Sequence, residues 1–290
     1  MSDAKACDLL VTGAGGQLGR AVLAEASRRG LRAHGSRHGD MPVEDPRAVH
    51  AEIGHRGPAA VVHAGAWTDV DGCERDPERA EAVNGRGTAN VASACAEFGI
   101  RLAYVSTDFV FDGEARTPYA VDAPCAPLSA YGRSKRSGEI AVLAHGRRDF
   151  HVVRTSWVFG PGGKNFPSAI LARARAGEPL KVVDDQSGSP TFTLDLAAAL
   201  LDLLATDTDG GIWHAANDGV CTWHQFATEI LAAAGLGHVE VGRTTSAELG
   251  RPARRPAWSA LDCARLTALR GHALPPYSDA IRRHLALEKS

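Results

Sequence analysis

A glycine-rich run near the start narrows the choice of folds more than anything else in this chain. Thr12-Gly13-Ala14-Gly15-Gly16-Gln17-Leu18-Gly19 follows a short apolar segment, Cys7–Thr12, and opens a stretch of helical periodicity, Leu18–Arg29. Gly13, Gly16 and Gly19 have the Thr-Gly-x-x-Gly-x-x-Gly spacing of a dinucleotide-binding turn. Glycines there permit a tight turn and close backbone approach to a pyrophosphate, while the following helix aims free N–H groups at it. Such a spacing arises by chance in a chain with 31 glycines. Its place between a strand and a helix gives it meaning, and it makes Gln17 and Leu18 cofactor candidates beside the glycines.

The rest of the first half alternates in the same way. Strand signals at Leu31–His34, Ala59–His63, Leu102–Ser106 and His151–Thr155 are separated by helical patterns at Arg47–His55, Pro77–Phe98 and Ser129–Ala144. Strands alternating with helices predict a parallel sheet covered on both faces, an α/β Rossmann-type doubly wound sheet. The second half gives helices at Phe166–Ala176, Leu194–Ala205 and Trp223–Ala234 and short strands at Val182–Val183 and Gly211–His214. The expected division is a dinucleotide-binding domain, 1–158, to which parts of 190–220 return. A smaller C-terminal substrate-binding lobe takes 159–189 and 221–290.

Composition excludes several classes. The chain has 290 residues, 44% hydrophobic and 23% charged, with a net charge of −2. It is large enough to bury a core unaided, and nothing drives it as a whole onto nucleic acid or an acidic membrane. No segment has the roughly 18–20 apolar residues of a membrane span, and no signal peptide is read at the N-terminus. The six cysteines form no Cys-x-x-Cys pair, which argues against a zinc ribbon or redox dithiol and suits a reducing cytoplasm.

The end of the second strand selects the cofactor. An acid there would bind a ribose 2′-hydroxyl; the chain instead reads Gly35-Ser36-Arg37-His38, with no acid before Asp40. Ser36 and Arg37 suit a 2′-phosphate, favouring NADPH, with NADH as the alternative.

Tyr131-Gly132-Arg133-Ser134-Lys135 is the sharpest chemical signal in a chain with four tyrosines. Residues four apart share a helix face, so phenol and ammonium converge. A tyrosine normally titrates near ~10; a neighbouring Lys⁺ favours the phenolate, and the pair can move a proton to or from a carbonyl oxygen. A third polar group is expected beyond the fourth strand, where Ser106-Thr107-Asp108 lies. His214 and His224 are read as structural hydrogen-bonders.

Together these motifs resemble the extended short-chain dehydrogenase/reductase superfamily, in its dTDP-4-dehydrorhamnose reductase branch. The carriers span nearly the whole chain: Thr12–Gly19, Ala64–Asp71, Ser106–Gly113, Pro127–Glu139, Arg154–Phe159, Lys164–Phe166, Asp185–Thr191 and Pro252–Pro256. The resemblance implies reduction of the C4 ketone of a nucleotide-linked 6-deoxy-4-ketohexose. Tyr131 is then the proton donor, Lys135 lowers its pKa and holds the nicotinamide ribose, and Thr107 orients the ketone. Ala64, Gly65 and Ala66 join the cofactor site, and Thr68, Val70 and Asp108 the substrate site. Trp157 packs on the sugar, Asn165 and Phe166 seat the nucleotide, and Arg254 or Arg255 holds the diphosphate.

Departures from the family pattern also carry information. Pro42 stands where an acid usually precedes the Val-x-Asp-Pro string, here Val43–Pro46, and a side-chain contact to the cofactor is lost. Ala21 and Leu194 occupy the positions of glutamates that hold Mg²⁺ between subunits in some members; neither ligates a hard cation, so no metal is expected and the chain is a monomer or a metal-independent homodimer. Phe109 replaces the acid of related dehydratases, which favours ketone reduction. A sibling reaction on another deoxysugar of antibiotic biosynthesis is the alternative. A non-catalytic NADP-binding regulatory subunit is disfavoured by the intact Thr107, Tyr131 and Lys135.

Overall fold

A computed structural model describes residues 7–288; residues 1–6, where no signal peptide was read, lie outside it. Five strands appear in the first half: β1 (Leu9–Thr12), β2 (Ala33–Ser36), β3 (Ala60–His63), β4 (Arg101–Thr107) and β5 (Phe150–Thr155). Beyond them come β6 (Val158–Phe159), β7 (Leu180–Val183), β8 (Ser187–Gly188), β9 (Thr191–Phe192), β10 (Gly211–His214), β11 (Cys221–Thr222) and β12 (Val241–Thr244). The main sheet has the order β10-β5-β4-β3-β1-β2, and every pairing in it is parallel. β1 and β3 are fully buried, as a strand covered on both faces must be. One face is covered by helices Gln17–Arg28 and Thr193–Ala205, which bring Ala26, Leu200 and Leu203 onto Val11 and Val62. Helices Pro46–Arg56 and Gly87–Glu97 cover the other, with Val49, Ile53 and Val91 against Leu10 and Val61.

The chain runs from β1 to β2 on one side and then crosses back past β1 to β3 on the other. The switch point between β1 and β3, where such sheets bind ligands, therefore brings the glycine-rich turn beside Ala64-Gly65-Ala66. The approach is close. Gly13 has φ +66°, and a Cβ there would lie 2.7 Å from the Gly65 Cα.

The expected helix Pro77–Phe98 is broken in register. It runs as Pro77–Ala80, a π-helical turn Glu81–Arg86, and Gly87–Glu97. A π turn inserts one residue into the helical repeat and often marks a functional site. Here it turns Asn84 inward, fully buried. The second half is more regular than its sequence suggests, adding helices Ala264–Arg270 and Tyr277–Glu288 and the parallel pair β7–β12. Ala280, Ile281, His284 and Leu285 form the buried stripe of the last helix.

The helix Ala130–Ala144 is capped by Ser129, whose hydroxyl accepts from the Gly132 N–H. It is fastened to the sheet by Glu139, which is 0% exposed and faces Arg154 of β5, 1% exposed. Arg154 Nε and Nη2 each donate to the carboxylate at 2.8 Å, and the Ser106 hydroxyl of β4 donates at 2.6 Å. Burial pushes the Glu139 carboxyl up, but its hydrogen bonds from Arg154, Ser106 and Arg136 bring it below the usual value. Removing one partner of a buried pair strands the other's charge, costing about 3–5 kcal/mol. Glu139→Ala is therefore expected to lower Tm by at least roughly 6 °C in thermal melts followed by circular dichroism. A shift under roughly 2 °C would mean that Arg154 finds water or another partner.

Candidate active site

Three segments meet beyond the C-terminal ends of β1, β3 and β4. The glycine-rich turn leads into Gln17–Arg28, whose N-terminus has Gly16 as cap, no side chain on its N–H groups and no acid in its first turn. These free donors suit a dinucleotide pyrophosphate. Leu18 packs into the core behind the turn. Gln17 instead reaches the 160–165 loop, donating to the Lys164 carbonyl at 3.4 Å. Arg20 crosses the same gap, donating to the carbonyls of Gly15 and Gly162.

Of the two residues expected at the 2′-position, only Arg37 is exposed. It lines a groove of about 570 Å3 with Ala14, Arg20 and Gly35. Ser36 does not join it. β2 runs two residues further than expected, and Ser36 is its last residue, 1% exposed, with its hydroxyl donating to Glu52. Asp40, the first acid past the strand, accepts from the Arg37 backbone N–H.

Tyr131, Lys135 and Thr107 are brought together, all buried. The Phe109 ring meets the Tyr131 ring edge-on at 5.5 Å. Burial holds the Tyr131 phenol well above its ordinary pKa, with the Thr107 hydroxyl pulling the other way. This differs from the expectation that Lys135 lowers it. The Lys135 ammonium donates to the Val105 carbonyl at 2.8 Å and lies 4.3 Å from the centre of the Tyr104 ring. Burial brings Lys135 down to about 7, against the upward pull of Glu139.

Asn84 is a site residue that sequence reasoning missed. Its amide nitrogen donates to the Trp67 carbonyl and to the Ser134 hydroxyl, and its oxygen accepts from the Trp67 N–H at 2.8 Å. Ser134 in turn donates to the Tyr131 carbonyl. The π turn thus ties the Tyr-Lys helix to the segment after β3. That contact is tight enough that a Cβ on Gly138 would lie 2.7 Å from the Asn84 carbonyl oxygen. Behind it His63 bridges the hydroxyls of Thr12 and Thr88 at 2.7 and 3.1 Å. Burial, with the nearby Lys135 charge, brings His63 down to about 3, so it stays neutral.

A second cavity of about 660 Å3 opens beside Phe109, lined by Trp157, Phe166, Trp223, Arg251, Arg254 and Arg255 among others. Trp157 is the one non-glycine residue with positive φ, +47°, among the described residues. That backbone turns its indole flat onto Trp223, 3.7 Å away and 8° from parallel. Trp223, Arg173, Lys181 and Arg251 of this wall were not foreseen; they lie on separate segments with no motif to mark them.

Several expected substrate residues are committed elsewhere. Arg255 is ion-paired to Asp71 of the helix Val70–Arg75 through both terminal nitrogens, at 3.1 and 2.9 Å. Arg254 has no hydrogen-bond or ion-pair partner among the described residues and is exposed in the cavity. Asn165 caps the helix Phe166–Arg175 and donates to the Gly160 and Gly163 carbonyls, so its amide holds the loop. Thr68 is exposed; Val70 packs near Tyr131 and Phe109. Asp108 is 2% exposed and contacts Thr107 rather than the cavity. His214 is buried beside Arg154 and His224 bonds the Val241 carbonyl, both structural as expected. Ala21 and Leu194 face the core between their two helices.

Among the described residues no helix is long and apolar enough to cross a membrane. The chain is 41% identical, over 89% of its length and 86% of the relative's, to a protein of Streptomyces griseus named dTDP-4-dehydrorhamnose reductase. It is 38% identical, over 93% of its length and 90% of the relative's, to a Streptomyces antibioticus protein named probable dTDP-4,6-dihydroxy-2-methyloxan-3-one 4-ketoreductase. The structure of a Bacillus anthracis dTDP-4-dehydrorhamnose reductase in complex with NADP superposes with a TM-score of 0.91 at 31% identity, covering 96% of this chain and 98% of that one. The family described as the RmlD substrate binding domain matches residues 7–289, and with the Tyr-Lys helix, the glycine-rich turn and the cleft between them in place, this chain belongs to it.

Proposed function

We propose that this protein is an NADPH-dependent oxidoreductase that reduces the C4 ketone of a dTDP-4-keto-6-deoxyhexose in deoxysugar biosynthesis, as a dTDP-4-dehydrorhamnose reductase does. The observation that carries this reading is the meeting of Thr107, Tyr131 and Lys135 at the end of β4, near both an uncapped helix N-terminus and an aromatic, cationic cavity. Bound nicotinamide supplies hydride to the ketone carbon. Tyr131 holds the proton for the new alkoxide; its burial keeps the phenol protonated, the state that reduction requires. Lys135, which donates to the Val105 carbonyl, would hold the nicotinamide ribose. Thr107 orients the ketone oxygen.

Gly13–Gly19 would hold the cofactor's pyrophosphate, with Ala64–Ala66 completing that side of the site. Arg254, unpaired at the cavity wall, takes the sugar-linked diphosphate, with Trp157 and Phe166 against the rings. In this reading 1–158 and parts of 190–220 form the cofactor domain, and 159–189 with 221–290 the substrate lobe. The enzyme works in the cytoplasm, as a monomer or a homodimer formed without metal.

The Streptomyces antibioticus relative supports a second reading, a sibling 4-ketoreduction of another nucleotide-linked deoxysugar. Incubation with epimeric dTDP-4-keto-6-deoxyhexoses and NADPH, with NMR of the products, separates the two. dTDP-rhamnose as product supports the first, a dTDP-deoxysugar of another C4 or C5 configuration the second, and no NADPH oxidation overturns both.

Tyr131→Phe is expected to lower kcat by ~10²–10⁴-fold while NADPH affinity in fluorescence titrations stays within about twofold, since only the proton donor is deleted. Near-normal kcat would remove Tyr131 from the chemistry.

Lys135→Met is expected to abolish most turnover yet stabilise the fold. A lysine brought down to about 7 by burial carries its full penalty below that pH, because folded and unfolded chains are then both charged. The penalty fades as pH rises from there towards the unfolded value of ~10.4. The variant should melt roughly 5 °C or more higher near pH 6, with the gain shrinking towards pH 10. An equal gain at both pH values would mean that Lys135 binds its proton as readily in the fold as in the unfolded chain, so that burial does not depress it.

Arg37→Ala is expected to lower the NADPH-over-NADH preference in kcat/KM by roughly tenfold, the low end for a charge-assisted bond because Arg37 is exposed. An unchanged ratio would leave the 2′-phosphate in solvent.

A further inference from the structure

Counting the hydrogens at Thr107 exposes a conflict. Its hydroxyl has one hydrogen and two lone pairs. The hydroxyl donates to Asp108 Oδ1 at 3.0 Å, accepts from the Phe109 N–H at 3.2 Å, and also faces the Tyr131 phenol, which turns to the ketone when substrate binds. A ketone oxygen only accepts. While Asp108 is ionised, the Thr107 hydrogen belongs to the carboxylate, the stronger acceptor, and nothing remains for the ketone.

The Asp108 side chain is itself unusual. It is 2% exposed, and its Oδ2 has no well-formed hydrogen bond among the described residues, the Ser259 hydroxyl facing the carboxyl without good geometry. Among the described residues, the groups facing it are Thr107 and the Asp108 and Phe109 N–H groups on its own segment, the Ser259 hydroxyl of the loop that follows Arg255, and the Tyr131 phenol of the Tyr-Lys helix; none of these is a cation. A buried carboxylate with one oxygen unsatisfied favours its neutral form.

We propose that Asp108 is a positioning residue that sets the direction of the Thr107 hydroxyl: with a proton on its carboxyl it donates to Thr107 Oγ1 and frees the Thr107 hydrogen for the substrate ketone. The ketone oxygen then faces two donors, Thr107 and Tyr131, as negative charge develops on it. Tyr131 alone gives up its proton; that of Asp108 stays in place. Burial raises Asp108 to about 6, with Ser259 and Thr107 pulling it down, so both states are populated near neutrality. The form able to direct Thr107 dominates below that pH and is lost as pH rises through it.

This inference rests on the ketone-reductase reading, and the test separates the two. The ratio of Asp108→Asn to unmodified kcat, at saturating NADPH and sugar, should rise about tenfold between pH 5 and 7, because the amide donates to Thr107 at every pH while the carboxyl stops doing so. Taking the ratio cancels the titration of Lys135. In a Thr107→Val background the same ratio should be flat. A flat ratio with Thr107 present, or an equal rise without it, overturns the proposal. Infrared difference spectra of the unmodified protein against Asp108→Asn supply a readout free of turnover. They should contain a protonated-carboxyl band that disappears with a midpoint near pH 6. Its absence at pH 5 overturns the proposal even in an active enzyme. The band without any sugar reduction overturns the functional reading instead. If Asp108→Asn fails to fold, the ratio of Thr107→Val to unmodified kcat decides: a rise between pH 5 and 7 supports the proposal, and a flat ratio overturns it.

Discussion

Taking a carboxylate and a guanidinium out of water costs several kcal/mol per ion, and only good geometry with every remaining donor and acceptor used offsets it. Glu139 and Arg154 come close to that condition. The carboxylate takes two bonds from Arg154, one from Ser106 and one from Arg136. Arg154 extends to the Val121 carbonyl and the Cys125 sulfur, and its Nη1 lies 3.5 Å from the His214 ring. One pair therefore joins β4, β5, β10, the 121–125 loop and the Tyr-Lys helix. Ser106 adjoins Thr107, and Glu139 lies one turn beyond Lys135. The pair fixes where hydroxyl, phenol and ammonium meet, and its negative end faces the lysine whose charge it supports.

Burial then sets the chemistry. The same low-dielectric surroundings push Tyr131 towards its protonated form and Lys135 towards neutrality. The phenol is thus primed as a donor, whereas the lysine needs a partner to remain charged. Its backbone bond to Val105 and the Tyr104 ring beneath it supply one in this state. His63, stacked against the Tyr104 ring at 5.5 Å, stays uncharged and adds no competing cation.

What the sequence revealed follows from how local each constraint is. The glycine run is legible because sterics at Gly13 exclude other residues within the turn itself. Tyr131 and Lys135 are legible because helix geometry joins residues four apart. Asn84 is not, because Pro77–Phe98 has an unbroken helical pattern and the π turn is stabilised by Trp67 and Ser134, which are distant in sequence. Arg254 and Arg255 are identical in kind, and only Asp71, 184 positions from Arg255, distinguishes them. Ser36 turned inward because β2 extends two residues beyond its apolar signal and Glu52 was there to receive its hydroxyl.

Asp71 also accepts from the Ala253 backbone N–H, and with Arg255 it stitches the 252–256 loop to the segment after β3. This ion pair spans the two sides of the cleft and is only 15–20% exposed at its side chains. A ligand entering the cleft finds the distance between the arginine loop and the Tyr-Lys helix already set. Little ordering entropy is left to be lost when the cleft is filled, because the pair already holds it like a calliper locked at one jaw width.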